Sequence, residues 1–220
     1  MNSPEPPVPP PPPPPSPAVA ATSDGGYPAR LTITADAQVP RWGPLVQWLL
    51  AVPHWFVASA LLFVGEIVAF ISWFVVLFTG KLPDGFANFQ CMVLRYLART
   101  YVYGTGLLPP FDPYPPFEFA TTPADPGVYA ARADFEPALE NRNRLTVGLR
   151  LIWAIPAAIV AYIIGIIAFV CWFIGIFAVL FTGGWPGGLR GWVEKGIRAY
   201  LRLYAYMFLL TDKYPPLNFD

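Results

Sequence analysis

Two pairs of arginines are the residues of this chain best spaced to do chemistry. Arg95 with Arg99, and Arg198 with Arg202, stand four apart, and each pair is followed four residues later by a tyrosine, Tyr103 or Tyr206. On a helix that step places side chains on one face and lets two guanidinium groups share a phosphodiester or a carboxylate. The spacing predicts a docking surface for a partner protein or a lipid headgroup; an unselective stripe beside anionic lipid is the plainer use of the same charges. Two further polar groups stand alone in apolar surroundings. His54 is the single imidazole, and Glu66 is the one fully charged side chain between Arg41 and Lys81. A carboxylate in such a run is costly unless it meets water or a partner, so Glu66 reads as an ion-handling group or as a residue at an exposed bend, and His54, beside Trp55, as an interfacial anchor or a proton relay.

Other chemistries find no support. Asp84, Asp112, Asp134, Glu136, Asp212 and Asp220 lie outside the apolar runs, with no spacing that makes a general acid/base pair or a helical metal motif. The string GGWPGG from Gly183 lacks the lysine and the strand-to-helix setting of a phosphate loop and reads as a helix break. Cys91 and Cys171 form no CxxC pair, which argues against a zinc site or a disulfide framework. Neither a catalytic residue nor a cofactor is expected. The formal net charge is zero, so no excess of positive charge draws the chain to nucleic acid.

The elements that must position these residues are set by hydrophobicity. The chain is 55% hydrophobic and 13% charged, against roughly 25% charged in soluble domains. From Arg150 to Arg190 no charge interrupts the apolar run. Such runs exceed the ~20 residues that cross a hydrocarbon core. Tryptophans gather near their ends, at Trp42, Trp48, Trp55, Trp185 and Trp192, as at membrane interfaces. Residues 1–17 carry eleven of the 28 prolines, which favour an extended, disordered tail.

The chain also repeats itself at an offset of 103 residues from Arg41 to Leu107. Pro53 meets Pro156, Leu77-Phe78-Thr79-Gly80 meets Leu180-Phe181-Thr182-Gly183, and Arg95 and Arg99 meet Arg198 and Arg202. The approach YPARLTI from Tyr27 matches YAARADF from Tyr129. His54 and Glu66 do not recur, being replaced by Ala157 and Phe169. Gly80 and Gly183 are predicted helix C-caps. The reading is an all-α integral membrane protein: a tail over 1–26, a first repeat over 27–119, a linker over 120–128 and a second repeat over 129–220. Each repeat has a short extended approach, a long apolar run and an amphipathic helix whose arginines snorkel outward in the headgroup plane. Basic residues flank both ends of each run, which favours a hairpin inside it, with bends near Gly65 and Glu66 and near Gly165, and four crossings in all. The alternatives are a long span with the arginine helix as its return, or one crossing per repeat.

At the same residues the chain resembles the bacterial integral membrane family called domain of unknown function 4389, common in actinobacteria. The resemblance rests on YPARLTI, RWGPLVQWLLAVPHWF, LFTG followed by a proline, and YLRLYAYMFLLTDKYPPLNF. It implies a membrane protein and no particular activity. The expected function is a non-enzymatic accessory or scaffold subunit of a cell-envelope membrane complex, a transport assembly included. Lipids and other integral membrane subunits are the expected partners. The expected location is the plasma membrane, multi-pass, with cytoplasmic termini. A transporter or channel component and a lipid-modifying enzyme are the alternatives.

Overall fold

The computed structural model describes residues 26–110 and 118–216. The proline-rich tail, Asp112 and Asp220 lie outside the described residues. The elements in chain order are β1 (Ala29–Ile33), α1 (Gly43–Thr79), α2 (Asp84–Gly104), β2 (Ala131–Phe135), α3 (Arg144–Gly148), α4 (Arg150–Thr182) and α5 (Gly187–Met207). The fold is mostly helical, with two helices long and apolar enough to cross a membrane and one two-stranded sheet.

Each apolar run is a single unbroken helix, which corrects the expected hairpins. Pro53 and Pro156 are carried inside α1 and α4, and both helices end on a left-handed glycine, Gly80 at φ 73° and Gly183 at φ 79°. Neither proposed bend holds a turn pair. Gly65 and Gly165 serve close packing instead. A Cβ on Gly65 would lie 2.9 Å from Phe208 and 3.2 Å from Val93, and one on Gly165 would lie 2.7 Å from the Tyr200 hydroxyl.

The long helices bury small residues and expose large ones. Ala51, Ala58, Gly65 and Ser72 recur every seven residues on the inner stripe of α1, and Ala154, Ala157, Ala161, Ala168 and Gly175 form that of α4. Most of their phenylalanines, leucines and isoleucines point outward, Ile164 being a buried exception. Small inner residues let α2 and α5 approach closely, the pattern of helix packing in lipid rather than of a soluble core. The main apolar core lies instead around α2, α5 and the sheet, where Leu31, Leu94, Val102, Ala133 and Leu209 are buried.

The two repeats are related by an approximate two-fold axis, and they exchange their approach segments. β1 and β2 pair antiparallel, with Leu31 opposite Ala133 at the centre. Those two residues are each other's repeat counterparts, so they mark the axis. Contacts come in matched pairs on either side of it. Val39 N–H donates to Gly183 O at 3.3 Å, as Arg142 N–H does to Gly80 O at 3.1 Å. Trp185 N–H donates to Ala37 O at 2.8 Å, as Leu82 N–H does to Leu139 O at 2.7 Å. Each repeat's approach is thereby seated on the other repeat's helices.

Candidate functional site: an arginine clasp beneath the strand pair

The arginine pairs of α2 and α5 face the sheet. Four-residue spacing keeps Arg95 and Arg99 on one side of α2, and that side meets β2 and the linker. Arg95 donates from Nε to Ala133 O at 3.1 Å, from Nη1 to Ala120 O at 3.1 Å, and from Nη2 to Thr122 O and Pro123 O at 2.9 Å. Arg99 donates from Nε to Ala131 O at 3.1 Å and from Nη2 to both carboxylate oxygens of Asp125, at 2.9 and 2.8 Å. Its guanidinium lies over the Tyr129 ring, 4.4 Å from the centroid. Both arginines are 0% exposed.

Asp125 completes the clasp. It sits in an Asp-Pro-Gly turn just before the YAAR approach, where its Oδ1 accepts from Gly127 N–H at 2.9 Å and its Oδ2 from Ala133 N–H at 2.9 Å. The first bond is a side-chain turn of the kind aspartate favours. Asp134 in turn accepts from Asp125 N–H at 2.7 Å. Burial pulls the Arg95 guanidinium below its usual range, and the Asp125 charge opposes that shift.

Across the axis the geometry recurs with different partners. Arg198 Nε donates to Leu31 O at 3.3 Å, the counterpart of the Arg95 bond to Ala133 O. Arg202 lies over the Tyr27 ring at 5.6 Å, as Arg99 does over Tyr129. Here the acid comes from the helix itself: Glu194 accepts from Arg190 at 2.8 Å and from Arg198 at 3.3 Å. Tyr27 is buried, which pushes its hydroxyl well above the usual phenol range, and it donates to Lys213 O at 3.2 Å.

A second charged cluster ties the C-terminal segment to the start of the second repeat. Arg142 donates from Nε and Nη2 to the two oxygens of Asp212 at 2.7 and 2.5 Å, and from Nη1 to Leu209 O at 2.6 Å. Arg150 also binds Asp212 and donates to Tyr206 O at 2.6 Å and Thr211 O at 3.0 Å, its guanidinium stacked 4.5 Å from the Tyr206 ring. Burial alone would raise the Asp212 carboxyl, but the two guanidinium groups outweigh it and hold it below its ordinary value.

These placements correct the expected docking face. Arg95, Arg99, Tyr103, Arg202 and Tyr206 are buried, and Arg198 is half-buried against β1. The four-residue spacing correctly put each arginine pair on one face, but a buried strand's backbone carbonyls and Asp125 occupy that face. Tyr103 donates to Pro110 O at 3.0 Å. His54 Nδ1 lies 3.2 Å from the Tyr96 hydroxyl, between α1 and α2. Glu66 is exposed on α1, within electrostatic reach of Tyr204. Sequence reasoning missed Asp125, Arg142, Arg150 and Tyr27. The Asp-Pro-Gly turn beside the repeated approach was the available signal for Asp125.

Beyond the clasp, α2 and α5 form the floor of an apolar groove of about 470 Å³ between α1 and α4, with Trp48, Trp55, Tyr101, Trp172, Tyr200 and Tyr204 in its walls. Among the described residues no cluster of three His, Cys, Asp or Glu side chains could hold a metal. Burial raises the Cys91 thiol to about 12, so it is an inert core group.

The comparisons with curated proteins and with solved structures return no match. The family profile described as Domain of unknown function (DUF4389) matches twice, over residues 41–117 and 144–218. The chain belongs to that family and carries it as a tandem duplication.

Proposed function

We propose that this chain is a non-enzymatic accessory or scaffold subunit of a membrane complex, with its termini on the cytoplasmic side of the plasma membrane. The observation that carries the reading is the inverted burial of α1 and α4, small residues inside and Phe56, Phe63, Phe70, Ile155, Phe173 and Phe181 outside. So large an exposed apolar surface needs lipid or apolar protein against it. The buried arginines hold the two repeats together, and the helices' outer faces take over the partner-binding role first expected of the arginines.

The test is extraction of the natively expressed protein in a mild detergent, followed by sizing and identification of stoichiometric partners. A discrete assembly larger than the lone chain in its micelle is expected. A lone chain whose reconstituted vesicles conduct ions would favour the channel reading, and one that turns over lipid would favour an enzyme. A protein recovered in the soluble fraction would end the membrane reading.

A further inference from the structure

We infer that the protein is monotopic: α1 and α4 lie along one leaflet, parallel to the membrane plane, and neither crosses it. The inference rests on the membrane reading above and specifies which lipid surface the helices meet. It sets aside every crossing count that the sequence suggested.

The first ground is the level at which the polar part sits. α2 packs antiparallel on α1, with Gly104 against Ala51 and Trp55, Tyr101 against Trp55, and Val93 against Gly65. Arg95, which holds β2, therefore stands beside the middle of α1, near Leu61. In the second repeat Gly196 packs on Ala168 and Tyr200 on Gly165, so Arg198, which holds β1, stands beside the middle of α4. A crossing helix has its middle at the bilayer centre. There the clasp and the ion pair of Arg30 with Glu136 (side chains 43% and 63% exposed) would both sit at hydrocarbon depth. Exposed charges are costly against lipid and face protein or water instead.

The second ground is length. α1 and α4 have 37 and 33 residues, so at 1.5 Å per residue they are about 55 and 50 Å long. Exposed large apolar side chains run from Leu45 to Phe78 on one and from Leu151 to Phe181 on the other. A hydrocarbon core of ~30 Å, even crossed at the ~40° extreme of observed tilts, covers only about 40 Å of helix. Crossing would leave phenylalanines and isoleucines in water at the ends while charges sat in oil at the middle.

Lying flat removes both conflicts. On α2 and α5 the arginines face the sheet, while Leu94, Leu97, Ala98, Val193 and Ile197 face the groove side, where α1 and α4 pack. The order through the molecule is sheet and linker, then α2 with α5, then α1 with α4. The exposed surface of the last layer is largely apolar, with Glu66 near the middle of α1, and α2, α5 and the sheet supply the polar side that an isolated interfacial helix would carry itself. Arg41 beside Gly183, and the exposed pair of Lys81 with Glu140, then lie at the headgroups at both ends of α1.

The experiment uses the full chain in its native membrane, with single cysteines at Asp36 and Asp84 flanking α1 and at Glu140 and Gly187 flanking α4, all exposed positions. The background carries Cys91→Ala and Cys171→Ala. A second set keeps the native cysteines, which are buried and half-buried, in case the background fails to fold. Carbonate-resistant membrane association is scored first, since its loss would refute the membrane reading itself. Given association, an impermeant maleimide is expected to label all four positions from the same side only. Labelling of Asp36 and Asp84 from opposite sides would overturn the inference. Nitroxide labels at Phe56, Phe63 and Phe70, one exposed stripe of α1, then measure depth by oxygen and nickel-complex accessibility. Equal depth within a few ångströms is expected. A depth change approaching the ~21 Å between the outer two, the rise of fourteen helical residues, would identify a span and overturn it, and a maximum at Phe63 would identify a hairpin and overturn it too.

Discussion

The two repeats share one backbone plan and differ in where they obtain negative charge. The first repeat's pair, Arg95 and Arg99, is neutralised by Asp125 from the linker, a carboxylate only 1% exposed. The second repeat's Arg198 is met by Glu194 four residues earlier on its own helix, with 17% of that side chain exposed. The second repeat adds the cluster of Arg142, Arg150 and Asp212, where the first has Val39 and Gln47 at the two arginine positions. Gln47 still reaches the counterpart carbonyl, donating to Leu108 O at 2.8 Å as Arg150 does to Thr211 O at 3.0 Å. The difference separates what the fold needs, side chains that hold the exchanged approach by its carbonyls, from what each copy has elaborated. Backbone conformation follows the same division. Gly106 adopts φ 77°, and its counterpart Leu209 adopts φ 63° without glycine's freedom, its carbonyl gripped by Arg142.

The largest expected effect comes from removing the buried acid. Asp125→Ala leaves Arg95 buried without its carboxylate and Arg99 with only Glu118, 3.5 Å away, and frees two backbone N–H groups, so it is expected to cost about 3–5 kcal/mol. Glu194→Ala breaks two partly solvated pairs within one helix and is expected to cost about 0.5–1 kcal/mol. Unfolding midpoints of the two variants in detergent check the contrast. Equal losses would mean that both repeats hold their strands by the same electrostatic device.

Next is a pH effect confined to the second repeat. The Asp212 carboxyl is held below its ordinary value in the folded chain. A depressed carboxyl contributes stability that is whole above the unfolded value, about 3.9, and is lost as pH falls through the lower folded one. Asp212→Asn is expected to cost about 1.5–3 kcal/mol at neutral pH and to flatten the acid limb of the stability profile. An unchanged acid limb in the variant would assign the acid sensitivity elsewhere.

Much of this plan was legible in the sequence, and the failures share a cause. The offset of 103 residues, the helix stops at Gly80 and Gly183 and the paired approaches could be read because glycine, proline and polar spacing report local backbone demands directly. The inward turn of Arg95 and Arg99 could not. Spacing fixes a face but not what covers it, and the cover is a strand from the other repeat, some thirty to forty residues further along the chain. Gly65 and Gly165 misled for a related reason: a glycine permits a bend and permits close packing, and only the tertiary partners, Phe208 and Tyr200, decide between them.

The packing beneath the loops shows the same division on a smaller scale. A Cβ on Gly175 would meet the Trp185 ring at 2.2 Å, while the first repeat has Ser72 and Leu82 at these positions. The larger loop residue demands the smaller helix residue. Gly175→Ser is expected to cost about 1–3 kcal/mol through overpacking, and adding Trp185→Leu should recover part of it by recreating the first repeat's combination. Trp185 also donates to Gly106 O at 2.8 Å, so recovery stays incomplete. Full additivity of the two changes in a double-mutant cycle would show that the positions do not compensate.

The smallest expected effect has the opposite sign. Gln90 is 0% exposed, and among the described residues neither its amide nitrogen nor its amide oxygen has a hydrogen-bond partner, whereas the counterpart Val193 is buried and apolar. A buried amide without partners costs ~1–3 kcal/mol relative to a satisfied one, and an apolar side chain of similar volume avoids that cost. Gln90→Leu is therefore expected to raise the unfolding midpoint by an amount corresponding to about 1 kcal/mol, since Leu repacks the space imperfectly. The reciprocal change, Val193→Gln, places the same amide in the second repeat and should lower the midpoint by a comparable or larger amount. If Gln90→Leu is destabilising while Val193→Gln is not, the amide contributes in the first repeat through a bond to water, and the asymmetry between the copies extends to their hydration.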